Sequence, residues 1–292
     1  MRLLRVGDPG AERPAAFAPD GSVVDVSAVV PDYDHRTLGP ASLATVADAV
    51  DAGGLPTVDI RDTRIGAPVA RPGKVVCIGL NYRDHAAETG AEIPTEPIVF
   101  MKDPWVVAGP HDDVPIPRGS SKTDYEVELA VVIGSAAHYL GSPEEANGHI
   151  AGFAVANDVS ERAFQLERGG QWDKGKSCEG FNPLGPWLVT PDEFDPSDAP
   201  IRLQVNGVDR QSSRTSQLIF DVPTIVHYLS HFMVLRPGDV VITGTPGGVA
   251  MGRPDPKPYL RDGDVVEAEI AGLGRMRQVF REAAPATSKC LD

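Results

Sequence analysis

Cysteine is scarce in this sequence. Its 292 residues hold three, Cys77, Cys178 and Cys290, far apart and without a Cys-x-x-Cys pair. An odd, sparse set excludes a disulfide framework and points to a reducing compartment, so a cytoplasmic location is expected. Cys77 lies in the apolar run KVVCIGL and reads as a buried, inert thiol. Basic residues are also short: 27 Lys and Arg stand against 41 Asp and Glu, a net charge of −14. Non-specific nucleic-acid binding needs Lys and Arg to neutralise phosphates, so this balance argues against it. No run approaches the roughly 18 consecutive apolar residues of a membrane helix. The start, MRLLRVGDPGAERP, lacks the apolar core of a signal peptide, and none is expected. Aromatics make up 6%, whereas Gly (30) and Pro (27) are plentiful, which favours many turns over long helices.

What is present suits a globular protein with a real core: 41% hydrophobic and 23% charged residues. Residues 1–70 read as a small N-terminal domain. It has an alternating stretch, SVVDVSAVV, after the turn Pro19-Asp20-Gly21, and a short helix in ASLATVADAV. The punctuated segment GAPVARPGK marks a boundary, and residues 71–283 read as a second, catalytic domain. The rest, 284–292, reads as a flexible tail carrying Cys290.

In the second domain KVVCIGL reads as a buried strand, and Asn81 as the cap of a short helix ended by Gly90. TDYEVELAVVIG reads as a strand of about 11 residues. AGFAVAND is another apolar run, ending in a polar pair. Asn206-Gly207 signals a hairpin. The one clear amphipathic helix begins at Asp221, and its apolar side runs from Val222 through Ile225, Val226, Leu229, Phe232 and Met233. Two closing strands follow. The domain is therefore β-rich, with few helices.

Glu126 and Glu128 are two apart on a predicted strand, so they share a face. Two adjacent carboxylates near a core repel one another and lose hydration, so they need protons or a cation. All-oxygen ligands suit Mg²⁺ or Mn²⁺, with Ca²⁺ possible. A solvated acidic face is the plainer alternative. Asp158, at the end of AGFAVAND, would complete a three-carboxylate site, although Asn-Asp is also an ordinary turn. His85 and Glu88 share a helical face, as a base and its orienting carboxylate would, or as a surface pair would. Lys176, in the Gly-rich run GGQWDKGKSCEG, could sit over an anionic substrate. Thr245, in GTPGG after a strand, could hold a carboxylate with its hydroxyl and nearby amides.

The order of these weak signals is specific. GLNYRDHAAE, FMKDP, DYEVELAVVIG, NDVSERAFQ, WDKGKS and GDVVITGTPGGV, in that succession, resemble the fumarylacetoacetate hydrolase family over residues 72–281. The resemblance implies an α+β fold, mainly β: a mixed β-sandwich roll behind a small N-terminal domain, as a homodimer. It implies a metal held by Glu126, Glu128 and Asp158, and water activation by His85 with Glu88. It assigns Lys176 to catalysis, and Gln165 and Thr245 to the substrate. Where many relatives read Ser-Ala-Arg-Asp, this chain has Ser160-Glu161-Arg162-Ala163. Where many read Lys-Ser-Phe-Asp, it has Lys176-Ser177-Cys178-Glu179. The run ERAFQLERGGQWDKGK resembles members that hydrolyse 2,4-diketo-3-deoxy sugar acids.

The implied reaction is metal-dependent hydrolysis of a C–C bond in a 2,4-dioxo acid. The acid would be an acylpyruvate or a diketo sugar acid, giving pyruvate or a related 2-oxo acid and a carboxylic acid. The same site could instead decarboxylate oxaloacetate or isomerise an enol, since a fold alone does not choose the reaction. A silent binder of metal and 2-oxo acid is the alternative from outside enzymology.

Overall fold

The computed structural model describes residues 1–283; the expected flexible tail and Cys290 lie outside the described residues. The core is a large mixed sheet. Its strands run in the order Val23–Asp25, Arg13–Phe17, Arg2–Val6, Asn182–Val189, Ile150–Asn157, Val127–Ile133, Val240–Ile242, Val75–Gly79 and Ile98–Lys102. Most neighbours are antiparallel, but Val240–Ile242 runs parallel to Val75–Gly79. A second sheet of five strands includes Pro200–Val205, Val208–Arg214, Val265–Ile270 and Gly274–Glu282.

Alternation along the strands divides the apolar residues between two cores. Val127, Leu129 and Val131 point toward the second sheet, where they pack with Ile201, Leu203, Val266, Ala268 and Phe280. Ala130, Val132, Ala154 and Cys77 point the other way, onto Leu43, Val46 and Val50 of the helix Pro40–Ala52. The central sheet is thus covered on both sides, which explains its near-continuous apolar strands. The N-terminal segment is joined to it by hydrogen bonds. Arg2–Val6 pairs antiparallel with Asn182–Val189, Leu3 lying opposite Leu188, so one sheet runs across the division expected at residue 70.

Local signals account for most elements. Asn206 and Gly207 have φ of 51° and 75°, the two positive values that a tight hairpin turn requires. Asp221 caps its helix by accepting from Thr224 N at 3.0 Å. That helix, Val222–Ser230, is shorter than its apolar pattern predicts, and Phe232 is 66% exposed. The cause is a switch of partner: Leu235 exchanges backbone hydrogen bonds with Ala137, drawing the chain into a β-bridge. The expected strand over TDYEVELAVVIG is split into Thr123–Asp124 and Val127–Ile133. At the break, Glu126 N donates to the side chain of Asn157 rather than to a strand carbonyl. Asn81 is not the helix cap. Tyr82 holds that position before Arg83–Thr89, and the Asn81 amide instead donates to Phe220 O and Thr243 O and accepts from Phe220 N.

Cys77 has no exposed surface, and burial pushes its thiol well above the ordinary range. Burial also raises Cys178, to about 11. At pH 8 that leaves a thiolate fraction of about 0.001. Iodoacetamide at pH 8 is therefore expected to leave both cysteines unmodified in the native protein and to label both in urea. Peptide mapping showing native labelling of Cys77 would contradict this packing.

Candidate active site

The antiparallel and parallel registers bring several chain segments to one end of the large sheet. Val127 lies opposite Asn157, so Glu126 and Glu128 meet Asp158 there, and Asp158 N donates to Glu126 O at 2.8 Å. Val240–Ile242 and Val75–Gly79 end on the same side, delivering the loop Thr243–Gly248 and the helix with His85. Gly244 is required at this junction. Its φ is +103°, and a Cβ there would lie 2.8 Å from Asn81 Cβ and 3.1 Å from Ile78 O.

Glu126, Glu128 and Asp158 are all buried, and one carboxylate oxygen of each lies within 4.8 Å of the others. Their partners differ. Glu126 accepts from Arg162 Nη2 at 2.5 Å and from Lys176 Nζ at 2.6 Å. Asp158 accepts from Lys176 Nζ at 2.7 Å and is also paired with buried Lys102. Glu128 has no ion pair among the described residues; it accepts from Gly244 N at 2.6 Å. The electrostatics follow these contacts. Burial alone would raise Glu126, yet Arg162 and Lys176 hold its carboxyl well below the usual range. Burial, with Asp158 and Glu126 beside it, pushes Glu128 well above that range. Burial opposes the charge on Lys176, but Asp158 and Glu126 raise it and keep it an ammonium.

The cluster fits a hard divalent cation. It offers oxygen donors from three buried carboxylates, and one of them, Glu128, forms no ion pair among the described residues. Glu126, Glu128 and Asp158 are the residues that would hold the ion.

Lys176 ends the short helix Asp173–Lys176, its ammonium 5.0 Å from the Phe100 ring centre. That helix can sit there only because residue 175 is glycine. A Cβ at Gly175 would lie 2.5 Å from Glu161 O and 2.6 Å from Gln165 N, both backbone atoms that cannot swing aside. Gly175→Ala is expected to cost about 1–3 kcal/mol by overpacking. It should also cut turnover at least about tenfold by displacing Lys176. An unchanged denaturation midpoint and rate would contradict this placement.

His85 is buried, its Nδ1 3.6 Å from Glu88 Oε2. Glu88 is fixed in turn by Gly248 N at 2.8 Å, so the pair is tied to the loop that binds Glu128. Gln165 is buried and accepts from Arg162 Nη1 at 3.0 Å. Thr245 is spoken for within the protein: its hydroxyl donates to Val127 O and accepts from Gln211 Nε2 at 2.7 Å. A substrate carboxylate could receive that proton only if the hydroxyl left Val127. Three members of the cluster carry no motif of their own. Arg162 bridges Asp124 and Glu126, Asp124 also receives Ala250 N, and Lys102 bridges Asp158 and Val159 O. Their signal in the sequence is only proximity to motif residues, in FMKDP, TDYEVE and NDVSER.

Residues 74–281 match the family model described as fumarylacetoacetate (FAA) hydrolase, C-terminal. A chain from Burkholderia multivorans is 48% identical over 284 residues, covering 97% of this chain and 100% of its own, and its name gives no substrate. The fumarylacetoacetate hydrolase of Exiguobacterium antarcticum is 36% identical with a TM-score of 0.82, over 97% of this chain and 100% of that one. Maleylpyruvate hydrolase from Sphingobium, solved with manganese(II) and pyruvate, is 26% identical with a TM-score of 0.79 over the same shares. With sequence, sheet topology and full-length likeness in agreement, this chain belongs to the fumarylacetoacetate hydrolase family.

Proposed function

We propose that this hydrolase-family protein cleaves the C–C bond of a 2,4-dioxo acid, with Mg²⁺ or Mn²⁺ held by Glu126, Glu128 and Asp158. The observation that carries this reading is the buried three-carboxylate cluster in which Glu128 has no ion pair among the described residues. The manganese and pyruvate in the Sphingobium maleylpyruvate hydrolase support both the ion and the product class. Bound there, a divalent ion supplies Lewis-acid stabilisation of charge on the 2-oxo oxygen of the leaving pyruvate fragment.

The chain's own residues do the rest. His85 accepts the proton of the attacking water, with the Glu88 carboxylate 3.6 Å from its Nδ1 to orient the ring. Lys176 adds positive potential beside the carboxylates, where the enolate charge develops. Gln165 turns its carbonyl to Arg162, which leaves its amide N–H₂ to donate to substrate. The hydrolytic step needs the His85/Glu88 pair; loss of CO₂ from oxaloacetate needs no water.

Isomerisation is the second reading, favoured by neighbours such as 5-carboxymethyl-2-hydroxymuconate delta-isomerase from Mycobacterium smegmatis, 32% identical with a TM-score of 0.76, and 2-hydroxyhepta-2,4-diene-1,7-dioate isomerase from Mycobacterium marinum, 31% identical with a TM-score of 0.75. The deciding assay follows pyruvate release from a panel of 2,4-dioxo acids and from oxaloacetate, with Mg²⁺ or Mn²⁺ and after EDTA. Metal-dependent pyruvate with an equimolar carboxylic acid is expected. Turnover of oxaloacetate alone would overturn hydrolysis in favour of decarboxylation. Tautomerisation of an enol substrate without pyruvate release would favour the isomerase.

A homodimer is part of the same proposal. The edge strand Ile98–Lys102 exposes Ile98 and Val99, and Trp105 beyond it is 76% exposed, an apolar edge suited to a second copy. Sedimentation equilibrium giving only the 31.0 kDa monomer would overturn it.

A further inference from the structure

We propose that His227 and His231 form a surface chelate for a borderline transition-metal ion, Cu²⁺, Ni²⁺ or Zn²⁺, separate from the carboxylate cluster. The two residues are one helical turn apart at the end of Val222–Ser230, and their side chains project to the same side. The Nε2 atoms are 3.2 Å apart and the rings stand edge to face at 4.8 Å. Two imidazole nitrogens at that separation can share one proton in a hydrogen bond, or turn both lone pairs to one ion.

The frame around them is rigid. Ser230 Oγ donates to His227 O at 2.7 Å and accepts from Leu140 N at 3.1 Å, which ties the helix end to the neighbouring segment. Pro143–His149 packs along the same helix and brings the exposed Glu144 carboxylate within electrostatic reach of His227. The negative end of the helix dipole also favours a cation here. The donors are two imidazoles, and His231 faces solvent. Nitrogen donors of this kind favour Cu²⁺, Ni²⁺ and Zn²⁺ over Mg²⁺, which is suited instead by all-oxygen donors such as the buried cluster.

The experiment titrates the full chain with Cu²⁺ in saturating Mg²⁺, so that the oxygen cluster is occupied, and reads nitrogen hyperfine structure by electron paramagnetic resonance. One Cu²⁺ with two coordinated imidazole nitrogens is expected at stoichiometric metal. In His231→Ala, and in the double variant with His227→Ala, that signal should disappear and Cu²⁺ affinity fall at least about a hundredfold. Metal-free denaturation midpoints and Mg²⁺-supported turnover should stay at wild-type values. His231 is exposed, so its single variant tests the site even if the double variant folds poorly. A wild-type protein without the two-nitrogen signal, or one whose signal survives in the His231→Ala protein, would overturn the chelate and leave a histidine–histidine hydrogen bond.

Discussion

Glu128→Gln is expected to leave the metal-free protein as stable as the wild type while cutting metal-dependent turnover at least about a thousandfold. The reason lies in its partners. Glu128 accepts one backbone hydrogen bond, from Gly244, and has no ion pair among the described residues. Its neighbours Asp158 and Glu126 repel a charge there, so a neutral amide of the same shape relieves repulsion and keeps an acceptor for Gly244 N. What the amide loses is a charged oxygen for the ion, and a thousandfold loss corresponds to about 4 kcal/mol of transition-state stabilisation. Glu126→Gln should behave differently. It removes the charge that Arg162 and Lys176 share, leaving two buried cations short of a partner. That defect should cost about 3–5 kcal/mol of folding stability even in EDTA. Urea denaturation of both variants in EDTA, with turnover in Mg²⁺, separates the two. Equal destabilisation, or a Glu128→Gln protein with full metal-dependent activity, would overturn this division of roles.

The same asymmetry shows what the sequence could reveal. Glu126 and Glu128 are two apart, and the period of a strand is enough to put them on one face. The structure does bring them together with Asp158, although the strand they were read from breaks at Tyr125 and Glu126. Sequence spacing carries no information about a break made by a distant side chain, here Asn157. Asn81 fails for the same reason. Its local context offers a helix to cap, but Phe220 and Thr243, far along the chain, compete for its amide and win. Lys176 stands out in the sequence only as a cation in a Gly-rich run; its place between Glu126 and Asp158 is not legible, because that depends on Gly175 letting two short helices touch. Arg162 and Lys102 are the hardest to see. A lone Arg or Lys in a sequence is ordinarily solvated, and only burial beside carboxylates makes either part of the site. The roll itself could be named from motif order. The continuity of Arg2–Val6 with the large sheet is a long-range pairing that neither pattern nor composition encodes.

His85→Ala should separate the two chemistries that one carboxylate cluster can support. If His85 accepts the proton of an attacking water, its loss should slow C–C hydrolysis by about a hundredfold to ten-thousandfold, the usual contribution of a positioned base. Metal affinity should be unchanged, because the oxygen donors at Glu126, Glu128 and Asp158 remain. Decarboxylation of oxaloacetate, measured on the same protein, should fall much less, since no water has to be deprotonated. Glu88→Gln should give a smaller loss of hydrolysis. It keeps a group of the same shape beside His85 and an acceptor for Gly248 N, but removes the negative charge 3.6 Å from the ring. Equal losses of hydrolysis and decarboxylation in His85→Ala, with metal affinity intact, would mean that His85 serves a step common to both reactions, and water activation would have to be assigned elsewhere.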